Sequence, residues 1–339
     1  MTKPRLLYYV HAHGSGHLAI FKLLEPELSK YFEIIALTTN VRATEALQGM
    51  DNILVHELPA KWGPLDIPPK HTFSKAFEET PYSKYPAERI AKLLDIVQRH
   101  QPVAFFCDGS PELAIAARSM GVPIVLVHLL GNTMIDPTQV FTYELSDHII
   151  ANFPKALQTP GYNYTDKTYY SGFISRYAAK ALLETPDETI TILMGTDNYS
   201  QELVSRMTAD PSRNFVIIGN NHEYALEDNC VQLGYQTDVA QAISGNIVIT
   251  AAGQNSVAEL LSLGKTLIVL PEDRPYDEQK YNAMALSDND MALIADDQMD
   301  ADEWRELLET ATDFEACYAE CISPDAPANI AQLLRSWYA

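Results

Sequence analysis

Short apolar runs rich in valine, isoleucine and tyrosine alternate with longer amphipathic stretches along most of the chain, and few folds accommodate that rhythm. Each repeat encodes a strand buried on both faces, then a helix that returns over the sheet, so the expected class is α/β with mostly parallel strands. In the first half the strands fall near 5–10, 33–39, 53–57, 103–107, 123–128 and 148–151, and the helices near 17–30, 42–49, 85–100 and 111–120. The rhythm pauses over GFISRYAAKALLETPDE, residues 172–188, and restarts near 190. There the strands fall near 190–194, 215–219, 230–233, 247–250 and 266–270, with helices near 199–208, 236–244, 254–263 and 277–287 and a helical tail beyond 300. The 339 residues exceed what one hydrophobic core usually spans. Two Rossmann-like domains are expected, 1–172 and 173–324, with a last helix at about 325–339 packing back on the first. Such sheets bind ligands beyond the carboxyl ends of their strands, which places the active site in the cleft between the domains.

Charge narrows the partners. Lysine and arginine total 24 against 45 aspartates and glutamates, and a net charge of -21 repels nucleic acid and anionic lipid. No run approaches the roughly 20 apolar residues that span a bilayer. The opening MTKPRLLYYV runs into a strand without a signal-peptide apolar core. The expectation is a cytoplasmic protein without stable membrane insertion. Cys317 and Cys321 stand one helical turn apart and are expected to pack on a helix face rather than bind metal. The proline-dense stretch 59–72, with Trp62, reads as a long irregular loop.

The first strand leads into HAHGSGHLAI, residues 11–20. Gly14-Ser15-Gly16-His17-Leu18-Ala19 satisfies a dinucleotide-binding pattern. However, the second strand ends in Thr38-Thr39-Asn40, where a ribose-binding acid would be needed, which argues against a nicotinamide cofactor. His11, His13 and His17 have no nearby carboxylate to complete a ligand set, so no metal site is assigned. Two readings stay open on these residues alone. The glycines permit a sharp strand-to-helix turn with merely polar histidines, or His17 sits at a helix N-terminus whose dipole keeps it neutral as a general base.

A longer signal occupies residues 248–286. A strand ends in Ala251-Ala252-Gly253, a helix carries Gln254, Asn255 and Glu259, Gly264 closes it, a strand runs into Pro271, and Gln279 and Asn282 lie on the next helix. Small residues at Gly253 let helix N-terminal amides approach a pyrophosphate. Glu259 can accept from two ribose hydroxyls, and Gln279 and Asn282 can orient sugar hydroxyls or phosphate. An ordinary αβα unit with a capped helix would also produce parts of this pattern.

In its order, and in EQKYNA at 278–283, the stretch resembles the nucleotide-sugar half of GT-B glycosyltransferases. The group concerned is the family 28-like one that includes the UDP-N-acetylglucosamine transferase of peptidoglycan synthesis. The resemblance implies the GT-B architecture, two Rossmann-like domains facing across a cleft. GSGHL then resembles the amino-terminal glycine loop, with His17 activating the acceptor, although Ile20 stands where many relatives carry arginine. FFCDGSPELAIAARSMGVPIVLVH, 105–128, resembles the segment whose aspartate steadies that histidine, here Asp108; capping a helix is the rival role for it. His128 lies at the cleft edge, where a hydrogen-bonded structural histidine is the stronger reading. The implied donor-binding set is Gly14, Gly16, Gly195, Thr196, Gly253, Gln254, Asn255, Glu259, Gln279 and Asn282. No cofactor is implied, because the nucleotide sugar, UDP-linked, is a co-substrate, and the acceptor is a glycan, lipid-linked or small-molecule hydroxyl. The expected reaction is inverting, metal-independent glycosyl transfer. A nucleotide-sugar hydrolase or epimerase on the same fold, or a non-catalytic nucleotide-sugar-binding protein, are the rivals.

Overall fold

Successive residues of the strands enter opposite apolar layers, so both sheets are covered on two faces. In the first strand Leu6 and Tyr8 join Ile34, Ala36, Phe106 and Val125 on one side, while Leu7 and Tyr9 join Ile35, Leu37, Phe105 and Leu126 on the other. Val248 and Leu267 of the second sheet likewise face one layer, and Ile249 and Ile268 the other. A computed structural model describes residues 3–11, 16–39, 41–51, 53–66, 80–179, 188–194, 199–219 and 222–339.

The first half runs β1 (Arg5–Tyr9), α1 (Gly16–Leu28), β2 (Glu33–Thr38), α2 (Val41–Gln48), β3 (Ile53–Glu57), α3 (Lys84–His100), β4 (Ala104–Cys107), α4 (Pro111–Ser119), β5 (Ile124–His128), α5 (Pro137–Leu145), β6 (His148–Ala151) and β7 (Thr168–Tyr170). Its strands pair in parallel in the order β3-β2-β1-β4-β5-β6-β7. The second half runs β8 (Ile190–Leu193), α6 (Gln201–Met207), β9 (Phe215–Ile218), β10 (Cys230–Gly234), α7 (Val239–Ala242), β11 (Ile247–Thr250), α8 (Gln254–Ser262), β12 (Thr266–Val269), α9 (Glu278–Asp288), β13 (Leu293–Ile294), α10 (Ala301–Thr312) and α11 (Ala326–Tyr338). These strands are also parallel, ordered β10-β9-β8-β11-β12-β13. Each order reverses once, between β1 and β4 and between β8 and β11, and a crevice opens beyond the carboxyl ends at such a point.

The helical tail expected beyond residue 300 is interrupted. Residues 313–325 are irregular apart from one turn of 3₁₀ helix at Ala319–Cys321, so Cys317 lies outside any helix and the two cysteines do not share a helix face. The backbone there is tied to distant partners: Cys317 N–H donates to the Asp290 carbonyl, and the Cys321 carbonyl accepts from Phe173 N–H at 2.7 Å. The edge strands β7 and β13, three and two residues long, are too short to show a period, and α7 spans four residues where nine were expected.

Helix α11 closes the molecule. Ala326, Ile330, Ala331 and Leu334 interlock with Ile20, Phe21, Leu24 and Leu28 of α1 in one apolar cluster, and Trp337 stacks on His148 with ring centroids 3.6 Å apart. A fully buried leucine at this seam leaves a cavity when truncated. Leu334→Ala is therefore expected to cost about 2–5 kcal/mol in urea-unfolding experiments.

Candidate active site

The switch point of the first sheet brings two side chains together from opposite sides of one crevice. His17 lies in the first turn of α1, which follows β1, and Asp108 directly follows β4. His17 Nδ1 is 2.8 Å from Asp108 Oδ2; the carboxylate is almost fully buried, while a quarter of the imidazole is exposed. Nδ1 faces Asp108, so Nε2 is turned away from it, and a carboxylate acceptor fixes the proton on Nδ1. Gly109 backs the ring at a positive φ of 79°, where a Cβ would lie 3.6 Å from His17 Cε1. The second oxygen of Asp108, Oδ1, is buried and has no hydrogen-bond partner among the described residues.

Charge reverses the expected titration of His17. Burial pulls its pKa down, but attraction to Asp108, the hydrogen bond to it and the charge of Glu278 outweigh that, and the net shift is upward from 6.5. The helix-dipole expectation of a lowered value therefore yields to two carboxylates. Glu278 opens α9 in the second half, and burial holds its own pKa up against the opposing pull of His17 and Arg274. Glu278 was not among the expected site residues.

On the opposite wall the turn after β11 presents the N-terminus of α8. Gly16 and Asn255 meet there: a Cβ at residue 16 would stand 2.5 Å from the Asn255 amide nitrogen. Gly253 is the N-cap of α8, and Asn282 donates to the Ala252 carbonyl at 2.7 Å, bracing that turn from below. Gln279 accepts from the Glu272 N–H at 2.8 Å, fixing the loop after β12. Both amides are buried, because Gln279, Asn282, Ala283 and Leu286 recur at i, i+3, i+4 and i+7 on the inward face of α9. Gln254 spans the halves, its amide donating to the Asn152 carbonyl at 2.7 Å. Glu259 is held in a bidentate pair by Arg176, at 2.9 and 3.1 Å, and burial, opposed by that arginine, raises its pKa. Gly14, Gly195 and Thr196 lie outside the described residues.

His128 is not part of the cleft. It is buried between Tyr143 Oη at 2.9 Å and Gln158 Oε1 at 3.0 Å and stacks on Tyr162, and burial lowers its pKa to about 3. Among the described residues no three or more His, Cys, Asp or Glu side chains are grouped to hold a metal ion, and no helix is long and apolar enough to cross a membrane.

Residues 178–313 match the glycosyltransferase family 28 C-terminal domain. The chain is a GT-B glycosyltransferase. It is 24% identical over 272 residues to a Streptococcus pyogenes serotype M3 enzyme, covering 72% of this chain and 74% of that one. It is 23% identical over 284 residues to its Caldicellulosiruptor saccharolyticus counterpart, covering 72% and 75%. Both are named UDP-N-acetylglucosamine–N-acetylmuramyl-(pentapeptide) pyrophosphoryl-undecaprenol N-acetylglucosamine transferase. In fold it is similar to Acinetobacter baumannii MurG, with TM-score 0.71, 14% identity and coverage of 98% and 100%. It is also similar in fold to the calicheamicin glycosyltransferase CalG4, with TM-score 0.69, 15% identity and coverage of 99% and 98%.

Two polar groups in this glycosyltransferase's cleft escaped sequence reasoning for different reasons. Glu278 was detectable: it precedes Gln279 on α9, and the inward positions of that helix leave 278 on a neighbouring face. Arg176 gave no local signal, since its partner Glu259 is 83 residues away.

Removing either carboxylate should leave the downward pull of burial on His17 less opposed. Asp108→Asn and, more weakly, Glu278→Gln are expected to lower the His17 pKa in NMR titrations of the ring; an unchanged titration in both would contradict this electrostatic account.

Proposed function

We propose that this chain moves a sugar from a UDP-sugar to an acceptor hydroxyl with inversion at the anomeric carbon and without a resident metal ion. The observation that carries the reading is the Nδ1–Oδ2 contact of 2.8 Å between His17 and Asp108, at the switch point of one sheet and opposite the N-terminus of α8. In this reading His17 Nε2 accepts the proton of the acceptor hydroxyl as its oxygen attacks the anomeric carbon. Asp108 holds the ring in the required tautomer, and Glu278 adds charge that favours the imidazolium as it forms. Backbone amides at the start of α8 and the dipole of that helix would meet the charge of the departing diphosphate. Glu259 would accept from the ribose hydroxyls, with Arg176 exchanging its carboxylate partner for the nucleotide.

Glu259 faces a partner that a ligand can replace, whereas Gln279 and Asn282 act from beneath by fixing the loops after β12 and β11. A uridine nucleotide is the donor class named for the streptococcal relative, and a hydroxyl acceptor, glycan, lipid-linked or small, fits a base poised to deprotonate an alcohol. The acidic composition suits an enzyme working in the cytoplasm without tight docking on anionic lipid.

A ligand held only by the native state raises the melting temperature by mass action. In a panel of UDP, GDP, dTDP, CDP and NAD, UDP is expected to give the largest rise and Glu259→Ala to abolish it. His17→Ala should keep the UDP shift and lower transfer by about 10²–10⁴-fold. A rise with NAD alone, or undiminished transfer by His17→Ala, would contradict the reading, and sugar release at equal rates with and without acceptors would make the enzyme a hydrolase.

A further inference from the structure

Helix α9 is entered through two consecutive non-glycine residues in the left-handed region, Tyr276 at φ 60° and Asp277 at φ 49°. Each such residue costs on the order of 1–3 kcal/mol and persists only where its surroundings over-determine it. Here the contacts to Tyr276 include several from the other half of the molecule. The N–H of Asn132 donates to the Tyr276 carbonyl at 2.7 Å, and the Tyr276 hydroxyl donates to Asp136 Oδ2. Gly131, at φ 96°, leaves room for the approach: a Cβ there would stand 2.7 Å from the Tyr276 carbonyl oxygen and 2.9 Å from Glu278 Cα. Those are backbone atoms that cannot turn aside.

The receiving carboxylate is fixed in advance. Asp136 caps α5, its Oδ1 accepting from the N–H groups of Thr138 at 2.8 Å and Gln139 at 3.2 Å, while its Oδ2 accepts from the tyrosine. A preset anionic acceptor makes this a charge-assisted bond whose direction is set before the halves meet. Asp277 points elsewhere, toward Lys280 at 3.5 Å.

We propose that Tyr276 is a positioning residue for glycosyl transfer: docked on Gly131, Asn132 and Asp136, it holds the strained entry to α9 so that Glu278 meets the His17 site only when the two halves are together. Closure and completion of the site are then one event. Bonds within the second half, from the Asp277 N–H to the Arg274 carbonyl at 3.0 Å and from the Glu278 N–H to the Pro275 carbonyl, keep the segment turned, so losing the first-half contacts lets the strained entry relax and shifts Glu278 rather than unfolding the turn. The consequence for catalysis rests on the transferase reading above; the structural coupling does not.

Three variants test it. Tyr276→Phe removes only the hydroxyl, Gly131→Ala inserts the obstructing methyl group, and Glu278→Gln removes the carboxylate that the latch is said to place. Each is followed by His17 ring titration in NMR, thermal melting, and kcat and KM with UDP-sugar. Tyr276→Phe and Gly131→Ala are expected to lower the His17 pKa in the same direction as Glu278→Gln. Their kcat should fall by about 10- to 100-fold, as for a misplaced catalytic group, with the donor KM changed less than kcat. Adding Tyr276→Phe to Glu278→Gln should lower kcat no further. A fall in melting temperature with the His17 titration and kcat unmoved would reduce Tyr276 to a purely structural role and overturn the proposal. A shifted titration with no transfer from any donor would uphold the coupling and sink the transferase reading instead.

Discussion

Backbone meets backbone where the two halves join, and the geometry of the cleft follows from that. A side chain at Gly131 would collide with the Tyr276 carbonyl and with Glu278 Cα, and one at Gly16 would displace the Asn255 amide. Parallel sheets place their variable loops at the carboxyl ends of their strands, so two such sheets facing each other must bring loops together rather than helices. The distance between His17 on one side and the helix N-terminus on the other is then set by how closely those loops approach. Glycine permits the closest approach, and the bond from Gln254 to the Asn152 carbonyl ties the arrangement at a further point.

Electrostatics in the cleft are a contest between burial and partners, and the outcome differs from group to group. Burial disfavours the charged imidazolium of His17, yet two carboxylates prevail. Burial also disfavours the carboxylate of Glu259, and there the single arginine does not fully compensate. His128, with neutral partners only, shows burial nearly unopposed. The sign matters for stability: a raised imidazole pKa adds stability below about 6.5 that is lost as pH climbs through the folded-state value, while the lowered pKa of His128 removes stability as pH falls below about 6.5. The two histidines therefore oppose each other in folding stability as pH falls below about 6.5.

Much of the architecture was legible because long buried strands carry an unmistakable signature. IVLVH and TLIV are buried at every position and apolar at all but one, as fully covered parallel strands tend to be, and the ends of β1 and β4 pointed to His17 and Asp108. Strands of two or three residues at sheet edges, such as β13, offer no such pattern. Irregular backbone held by distant partners is equally silent, and Cys317 and Cys321 read as helical for that reason. On the donor side the sequence named candidates without showing which of their atoms are engaged within the protein. Gln279 and Asn282 were expected at the ligand from the EQKYNA resemblance and their capacity to orient sugar hydroxyls or phosphate; in the structure Gln279 Oε1 and the Asn282 amide nitrogen are engaged with the loops after β12 and β11. Glu278 was passed over for its neighbour, and the pairing of Arg176 with Glu259 depends on tertiary structure alone.

In the proposed reaction a single imidazole base acts opposite a departing diphosphate, which permits one displacement and therefore one stereochemical outcome. The direct measurement is the anomeric configuration of the glycoside formed when an α-linked UDP-hexose is turned over with a hydroxyl acceptor, read from the anomeric proton coupling by NMR. A β-configured product is the result this account predicts. An α-configured product would require a second displacement or a front-face mechanism and would contradict the role given to His17 and Asp108.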